Sequence, residues 1–391
     1  MDRVEYVART LADRIGERPV GTGSNEAAMK FLSGVAGELG YQVEELPLSC
    51  KRWEWDASSL RLGEDAVEIF PSPFSNPLEG RFNIKAVKSV DELRAAEVSN
   101  DLLVLHGEIA AEPLMPRDFP FYYPDEHREI IDLLTEKEPA GVVALTGRHP
   151  LCGLSPFPLF EDGNLGIPNG YTGDERVPIA VEGRVELRSR SVGTSSRQQV
   201  FRKTGAGSGT VLVAAHIDTK YGTPGALDNG AGLATMFAVM EALASTDLPF
   251  DMEFLPFNGE EYYEVSGQLA YLDSRSASFG DLRLMVNLDG LGHRASKNAF
   301  SRYNLSDRDV QLLEVTLRSS RRALPGEEWI AGDHAIFAFQ GVPCVAVTSS
   351  NLMEELIRVT HTSEDRLELV DLDLLRAAGE TVTELLTRLQ L

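Results

Sequence analysis

The chain has 391 residues, of which 43% are hydrophobic and 25% are charged. This length suits two domains or one enlarged domain, and the apolar content is too high for a largely disordered protein. With 60 acidic and 37 basic residues the formal net charge is −23, so the chain lacks the basic footprint of a nucleic-acid-binding protein and is disfavoured at anionic membrane surfaces.

The N-terminus and the cysteines indicate a cytoplasmic protein. Residues 1–9 carry charges where a signal peptide needs an apolar core. The most apolar helical stretch, residues 233–240, is far too short to span a membrane. Cys50, Cys152 and Cys344 are odd in number and show no C-x-x-C spacing, so neither a disulfide framework nor a cysteine zinc site is expected.

Residues 1–50 predict two helices followed by a strand. Apolar residues recur at helical spacing over residues 4–15 and again over residues 27–39. A turn-rich break begins at Arg18 and ends in a helix cap expected at Ser24 or Asn25. Residues 41–48 read as a strand.

Residues 51–189 have a different character, with short strands and many prolines. Residues 102–107 and 141–146 predict two strands, and residues 125–136 predict the one clear helix. We therefore expect a separate β-rich domain in this part of the chain.

Residues 190–391 alternate strands with helices. The predicted strands are 210–215, 252–257, 284–288 and 342–347, and the predicted helices are 229–244, a helix ending near 272, 307–321 and 372–389. This alternation predicts an α/β fold with a mainly parallel mixed sheet sandwiched by helices. Residues 1–50 would be the first part of that domain, with 51–189 inserted into it.

Five metal-ligating residue types follow the apolar runs of this domain. They are His216, Asp228, Glu261, Asp289 and His361. In open α/β sheets, sites form where the strands end. Charged groups are rarely placed at the ends of buried strands without a partner, and a metal would satisfy them.

These side chains suit two divalent ions. Two imidazoles, two terminal carboxylates and a bridging Asp228 give each ion three donors and leave a position for water. Imidazole and carboxylate ligands without thiolate suit zinc, with cobalt and manganese as alternatives. The chemistry implied is metal-assisted hydrolysis.

Two further carboxylates have predicted catalytic roles. Asp218, two residues after His216, is expected to accept the other imidazole N–H and fix the tautomer. Glu260 precedes the ligand Glu261 and is placed to take a proton from the attacking water and pass it to the leaving group.

The ordered set of motifs resembles the two-zinc aminopeptidases, which include bacterial and fungal leucine aminopeptidases and, more distantly, glutamate carboxypeptidase. The resemblance covers residues 205–391 well and 1–50 loosely. The matching segments are residues 213–219, 225–232, 258–261, 267–272, 287–290, 332–337 and 360–365.

The resemblance implies an aminopeptidase that acts on peptide substrates. It assigns His216 and Asp289 to one ion, Glu261 and His361 to the other, and Asp228 to both. It leaves homo-oligomerisation, the side-chain preference and the physiological metal open.

The resemblance also bears on individual positions around the ligands. It implies Glu260 as the general base and a cis peptide bond between Asp228 and Asn229. Leu227 stands where the family often has a second acidic residue. Thr360 stands where some members have a tyrosine that steadies the oxyanion.

Outside the ligand set, the inserted domain resembles the protease-associated insert of many family members, on segments 100–107 and 140–145.

Asp228 follows Asp218 by only ten positions, which disfavours the acetylornithine-deacetylase relatives. The remaining alternatives are a carboxypeptidase on acidic dipeptides, a glutaminyl cyclase, which normally works with one ion, and a non-catalytic binding protein on the same fold.

Overall fold

The chain divides into two compact units in a computed structural model that describes residues 2–149, 153–174, 182–276 and 279–389. The first unit comprises Met1–Cys50 and Ser195–Leu391, and the second comprises Lys51–Thr194. The sequence predicts divisions after residues 50 and 189. The first coincides with the structural division, and the second lies five residues before it.

The strands, in chain order, are β1 Gln42–Trp55, β2 Ser58–Leu62, β3 Asp65–Pro71, β4 Leu78–Val87, β5 Leu102–Leu105, β6 Gly141–Leu145, β7 Asn169–Thr172, β8 Glu182–Leu187, β9 Ser189–Lys203, β10 Thr210–His216, β11 Asp251–Phe257, β12 Leu282–Leu288, β13 Asn298–Tyr303, β14 Ala323–Pro325 and β15 Cys344–Ser349. The α-helices are α1 Arg3–Arg9, α2 Gly23–Glu38, α3 Val90–Ala95, α4 Asp125–Lys137, α5 Ala231–Leu243, α6 Ser266–Ser274, α7 Asp307–Ser319, α8 His334–Ala338 and α9 Leu372–Arg388. Shorter π- and 3₁₀-helical turns lie at Thr10–Ile15, Gly107–Ala110, Ala226–Gly230, Leu356–Arg358 and Leu367–Leu369.

An eight-stranded mixed sheet forms the centre of the first unit, in the order β1-β9-β11-β10-β12-β15-β13-β14. The four central strands β11, β10, β12 and β15 are parallel. Strand β9 runs antiparallel to β11, and β13 runs antiparallel to β15. The mainly parallel mixed sheet predicted from the sequence is therefore confirmed.

Helices cover both faces of this sheet because its central strands are apolar on both sides. In β10, Val211 and Val213 belong to one apolar core and Leu212 and Ala214 to another. The first core holds side chains of α1, α2, α5, α7 and α9, and the second holds side chains of α6 and α8. Helix α5 is buried on almost every side, as expected of a helix between a sheet and further helices.

Two helix starts differ from the sequence prediction. Helix α2 is capped by Thr22, whose hydroxyl accepts the backbone N–H of Asn25, so the predicted cap at Ser24 or Asn25 was wrong. Helix α5 begins at Ala231 and not at Asn229, because Asp228 and Asn229 have non-helical backbone angles. The peptide bond between these two residues is cis, as the family resemblance implied.

The second unit is the β-rich insertion that the sequence predicted. Its strands close on themselves in the order β2-β3-β7-β6-β5-β4-β8. Helix α4 corresponds to the predicted helix 125–136, whereas the short helix α3 was not predicted. The likeness of this unit to a protease-associated insert stays a prediction.

No helix within the described ranges is both long and apolar enough to cross a membrane. Cys50 and Cys344 are buried free thiols. Burial raises the pKa of Cys50 to about 11 and that of Cys344 to about 12. Cys152 lies outside the described residues.

Candidate metal centre

The predicted ligands lie together because the parallel strands end at one edge of the sheet. His216 is the last residue of β10, and Asp289 directly follows β12. Glu261 follows β11 after a short turn, and His361 lies in the long segment after β15. Strands β11, β10, β12 and β15 are neighbours in that order, so residues far apart in the sequence meet here.

Asp228 links two groups of potential ligands. One group is His216, Asp228 and Asp289, and the other is Asp228, Glu261 and His361. Within each group one ligand atom per residue lies within 4.8 Å of the others. All five predicted metal ligands are therefore brought together, in the two sets that the family resemblance implied.

The two oxygens of Asp228 face different histidines. Its Oδ1 lies 2.9 Å from Nε2 of His216, and its Oδ2 lies 3.2 Å from Nε2 of His361. The same two nitrogens face a second carboxylate each, at 3.6 Å for Asp289 Oδ1 and 3.0 Å for Glu261 Oε1. This is the arrangement expected of a carboxylate that bridges two cations.

The potential ligand atoms face one another with their lone pairs, and this arrangement suits bound cations. The Nδ1 atom of His216 lies 3.0 Å from the carbonyl oxygen of Asp218, which can only accept a hydrogen bond. In a neutral imidazole the proton is then on Nδ1, and the Nε2 lone pair faces two carboxylates. Oε1 of Glu261 is also buried, and its lone pairs face Nε2 of His361 at 3.0 Å. A divalent ion would satisfy each of these lone pairs.

The pKa values of the cluster also show that its surroundings favour positive charge. Burial works to lower the pKa of His216, but its hydrogen bonds to Asp228 and Asp289 hold that pKa well above its ordinary value. Burial also opposes protonation of His361, and Glu261 with Asp228 again raises the pKa well above the usual range. Burial alone would raise the pKa of Asp228, but the two imidazoles lower it.

Asp218 contacts a different partner from the one predicted. Its carboxylate lies 3.8 Å from Nδ1 of His216, whereas it accepts the backbone N–H groups of Gly259, Glu260 and Glu261 at 3.0, 3.2 and 3.0 Å. The imidazole is oriented by the main chain of Asp218, and the side chain fixes the turn that carries the two glutamates. The predicted contact between the carboxylate and the imidazole was therefore wrong.

Glu260 belongs to neither ligand group, but its charge interacts with members of both. Burial raises the pKa of its carboxyl group well above the ordinary value. The charge of His216 opposes that rise, and the charges of Glu261 and Asp289 add to it. A carboxyl group whose pKa is raised holds a proton more readily than an ordinary glutamate does, which suits a group that takes up a proton and then passes it on.

Sequence reasoning missed two residues that hold the segment containing Asp228. The carboxylate of Asp365 accepts the backbone N–H groups of Leu227 and Asp228 at 2.7 and 3.1 Å. Arg18 is completely buried beneath the same segment. Burial raises the pKa of Asp365 to about 6 and lowers that of Arg18 to about 10. Asp365 is the last residue of the segment 360–365 that resembles the family, so the sequence contained a signal for this residue. The pattern around Arg18 indicates only a turn.

A second buried polar group lies near the ligands. Asp333 precedes α8 but makes no capping hydrogen bond, and its carboxylate accepts a hydrogen bond from Gln268 at 2.7 Å. Burial raises the pKa of Asp333 to about 7. His334 is fully buried, with Nε2 placed 2.8 Å from the carbonyl oxygen of Trp329.

Residues 200–386 match the sequence model of peptidase family M28. The aminopeptidase YwaD of Bacillus subtilis (strain 168) is 27% identical over 180 residues, which are 44% of this chain and 39% of that protein. The putative endoplasmic reticulum metallopeptidase 1-A of Caenorhabditis elegans is 34% identical over 92 residues, which are 23% of this chain and 10% of that protein. The chain therefore spans well under half the length of these relatives.

Solved structures share the fold over almost the whole chain. An aminopeptidase from Aneurinibacillus sp. strain AM-1 has a TM-score of 0.76 at 14% identity, covering 98% of this chain and 92% of its own. A zinc aminopeptidase from Bacillus subtilis has a TM-score of 0.74 at 17% identity, covering 98% and 93%. At these identities the likeness establishes the fold.

Proposed function

We propose that this chain, whose residues 200–386 match the sequence model of peptidase family M28, is a two-metal aminopeptidase that removes N-terminal residues from peptides. The observation that carries the proposal is the position of Asp228, whose two oxygens face two histidines in two separate ligand groups. The names of the similar proteins, which include aminopeptidases and a zinc aminopeptidase, support the choice of reaction.

Five side chains would hold the two ions. His216 and Asp289 would bind one, Glu261 and His361 the other, and Asp228 both. Zinc is the proposed metal, because imidazole and carboxylate donors without thiolate suit it, and cobalt and manganese accept the same donors. When bound, such ions polarise a carbonyl group and lower the pKa of coordinated water.

Glu260 would move the proton. Its carboxylate takes a proton from the attacking water as the water oxygen adds to the scissile carbonyl carbon. The same carboxyl group then gives that proton to the leaving nitrogen as the C–N bond breaks. The products are the released amino acid and a peptide with a new amino terminus, and Glu260 is restored.

Asp218 would support this chemistry by position. It accepts the N–H groups of three consecutive residues, Gly259, Glu260 and Glu261. One carboxylate thereby fixes the proposed base and a proposed ligand of the second ion relative to each other. Small displacements of a catalytic group cost large factors in rate.

The test is mass spectrometry of a peptide pool incubated with the zinc-loaded full chain, with each peptide present in free and N-acetylated form. Stepwise loss of N-terminal residues from the free forms alone is expected. The Glu260→Gln variant, purified in the same way, controls for contaminating peptidases. Trimming from the C-terminus or cyclisation of N-terminal glutamine would replace the proposed reaction, and no change with zinc, cobalt or manganese would count against a peptidase.

A further inference from the structure

Arg18 is an unusual arginine because its whole side chain is buried. Its guanidinium group donates four hydrogen bonds to main-chain carbonyl oxygens, those of Ile217, Gly16, Pro224 and Gly225 at 2.7, 3.0, 2.9 and 2.9 Å. Arginine is rarely buried unless its donors are satisfied, and here peptide carbonyls satisfy them.

Three of these carbonyls belong to the segment that joins two proposed metal ligands. Ile217 directly follows His216, and Pro224 and Gly225 directly precede the turn that contains Asp228. One planar guanidinium group therefore ties the beginning of this segment to its end. The backbone N–H of Arg18 adds a fifth bond, to the hydroxyl of Thr219 at 2.9 Å.

The fit around the guanidinium is close. Gly225 has a φ of 61°, and a Cβ atom there would lie 2.3 Å from the Thr219 side chain and 3.2 Å from Nη2 of Arg18. Only glycine can adopt this backbone without displacing one of its neighbours. The segment is thus shaped to receive the arginine.

Asn25 makes the corresponding connection to the other ligand-bearing turn. Its side-chain amide donates to Oδ1 of Asn258 at 2.8 Å and accepts from Nδ2 of Asn258 at 3.2 Å. It also donates to the carbonyl oxygen of Arg18 at 3.2 Å. Asn258 begins the turn that carries Glu260 and Glu261, and both asparagines are fully buried.

We propose that Arg18 and Asn25 are positioning residues for both metal sites. Residues 18–25, a turn and the start of α2, hold the 217–228 segment through the guanidinium of Arg18 and the 258–261 turn through the asparagine pair. Neither residue touches the reacting atoms. This inference rests on the proposed metal centre, because positioning has a functional meaning only if the ligands bind metal.

The first measurement is zinc affinity of the full-length chain at pH 7.5, by competition with a chromogenic chelator. Arg18→Lys keeps the charge but cannot reproduce four hydrogen bonds in one plane, Arg18→Met removes both, and Asn25→Asp removes the amide donor. We expect each to weaken zinc binding at least about tenfold. Arg275→Met is the matched control, because that arginine is only 11% exposed and pairs with Glu253 and Asp281, neither of which is a proposed ligand.

The control should lower the melting temperature and leave the zinc dissociation constants within about threefold of the parent chain. Position 18 or 25 variants that behave like the control would overturn the proposal. Tighter zinc binding by Arg18→Met would also overturn it, since Arg18 would then act only as an opposing charge.

Amide hydrogen exchange of chelator-treated protein separates this proposal from the proposed function. We expect Arg18→Met to raise exchange locally over residues 217–228, and Asn25→Asp to raise it over residues 258–261. A uniform rise like that of Arg275→Met would contradict the positioning role. A parent chain that binds no zinc but shows these local effects would refute the metal centre, and it would show only that Arg18 and Asn25 fix these two segments.

Discussion

The Nδ1 atom of His216 lies 3.0 Å from the main-chain carbonyl oxygen of Asp218 and 3.8 Å from the nearer oxygen of its carboxylate. The main chain and the side chain of Asp218 therefore have different partners. The carbonyl orients the imidazole, and the carboxylate is free to accept N–H groups from the turn that carries the two glutamates.

Asp218→Asn should therefore impair the glutamate turn more than the histidine. The new amide has one acceptor oxygen, and its NH₂ group would face a backbone N–H that the carboxylate now accepts. We expect kcat to fall about tenfold or more and the free energy of unfolding to fall by about 1–3 kcal/mol. Steady-state kinetics and urea unfolding measure the two effects.

Zinc titration of the same variant tests the division of roles. The affinity of the site that contains His216 should stay within about threefold of the parent value, because the carbonyl contact survives. A selective loss of zinc binding at that site would show that the Asp218 carboxylate, and not the carbonyl group, orients the imidazole of His216. Asp247→Asn, at an exposed position of the same unit, is the control for a generic loss of negative charge.

Metal stoichiometry should separate the bridging residue from the terminal ligands. Asp228 belongs to both ligand groups, whereas His361 belongs to one. After dialysis against dilute zinc, we expect two ions in the parent chain, one in His361→Ala and close to none in Asp228→Ala, measured by inductively coupled plasma mass spectrometry. Asp247→Ala should keep both ions. Two ions retained in Asp228→Ala would refute the bridge.

Glu260→Gln should separate proton transfer from metal binding. The amide has nearly the same size but cannot take up a proton, and Glu260 is not a member of either ligand group. We expect both zinc ions to remain and kcat to fall by about 10²–10⁴. Glu264→Gln, four positions along the same segment, is the matched control and should keep kcat within about threefold. Undiminished turnover in Glu260→Gln would remove Glu260 from the role of base.

The position of the candidate site could be predicted because it follows from the ends of buried strands. Apolar runs such as β10 and β12 are buried on both faces and are recognisable in the sequence. Their carboxyl ends meet at one edge of a parallel sheet. The sequence alone therefore places His216 and Asp289 together, although their role as metal ligands stays a prediction.

What could not be predicted depends on contacts that leave no periodic pattern. Arg18 lies in a turn rich in proline and glycine, and such segments are ordinarily exposed. Strand β4 alternates between exposed and half-buried residues along most of its length, so it lacks the apolar run that identified β10. The side-chain partner of Asp218 depends on where the 258–261 turn lies in space, which the spacing of two residues cannot reveal.

A buried histidine near the centre predicts a pH dependence of stability that is independent of metal. The ring of His334 packs against Tyr303 and Trp329, and burial lowers its pKa to about 4. An unfolded chain binds a proton at this residue near pH 6.5. The unfolded state therefore takes up more protons than the folded state between these two values, so stability is lost as the pH falls.

His334→Gln should remove this loss, because glutamine does not titrate and can still donate to the carbonyl oxygen of Trp329. The shift corresponds to about 3 kcal/mol of unfolding free energy lost between pH 6.5 and pH 4. Urea unfolding of both chains should be compared over that range after chelator treatment, so that acid release of metal does not contribute. Buried carboxyl groups such as Asp333 titrate with the opposite sign in both chains, so the difference between the curves isolates the histidine. If the unfolding free energies of the two chains change in parallel with pH, His334 does not cause the loss of stability at low pH.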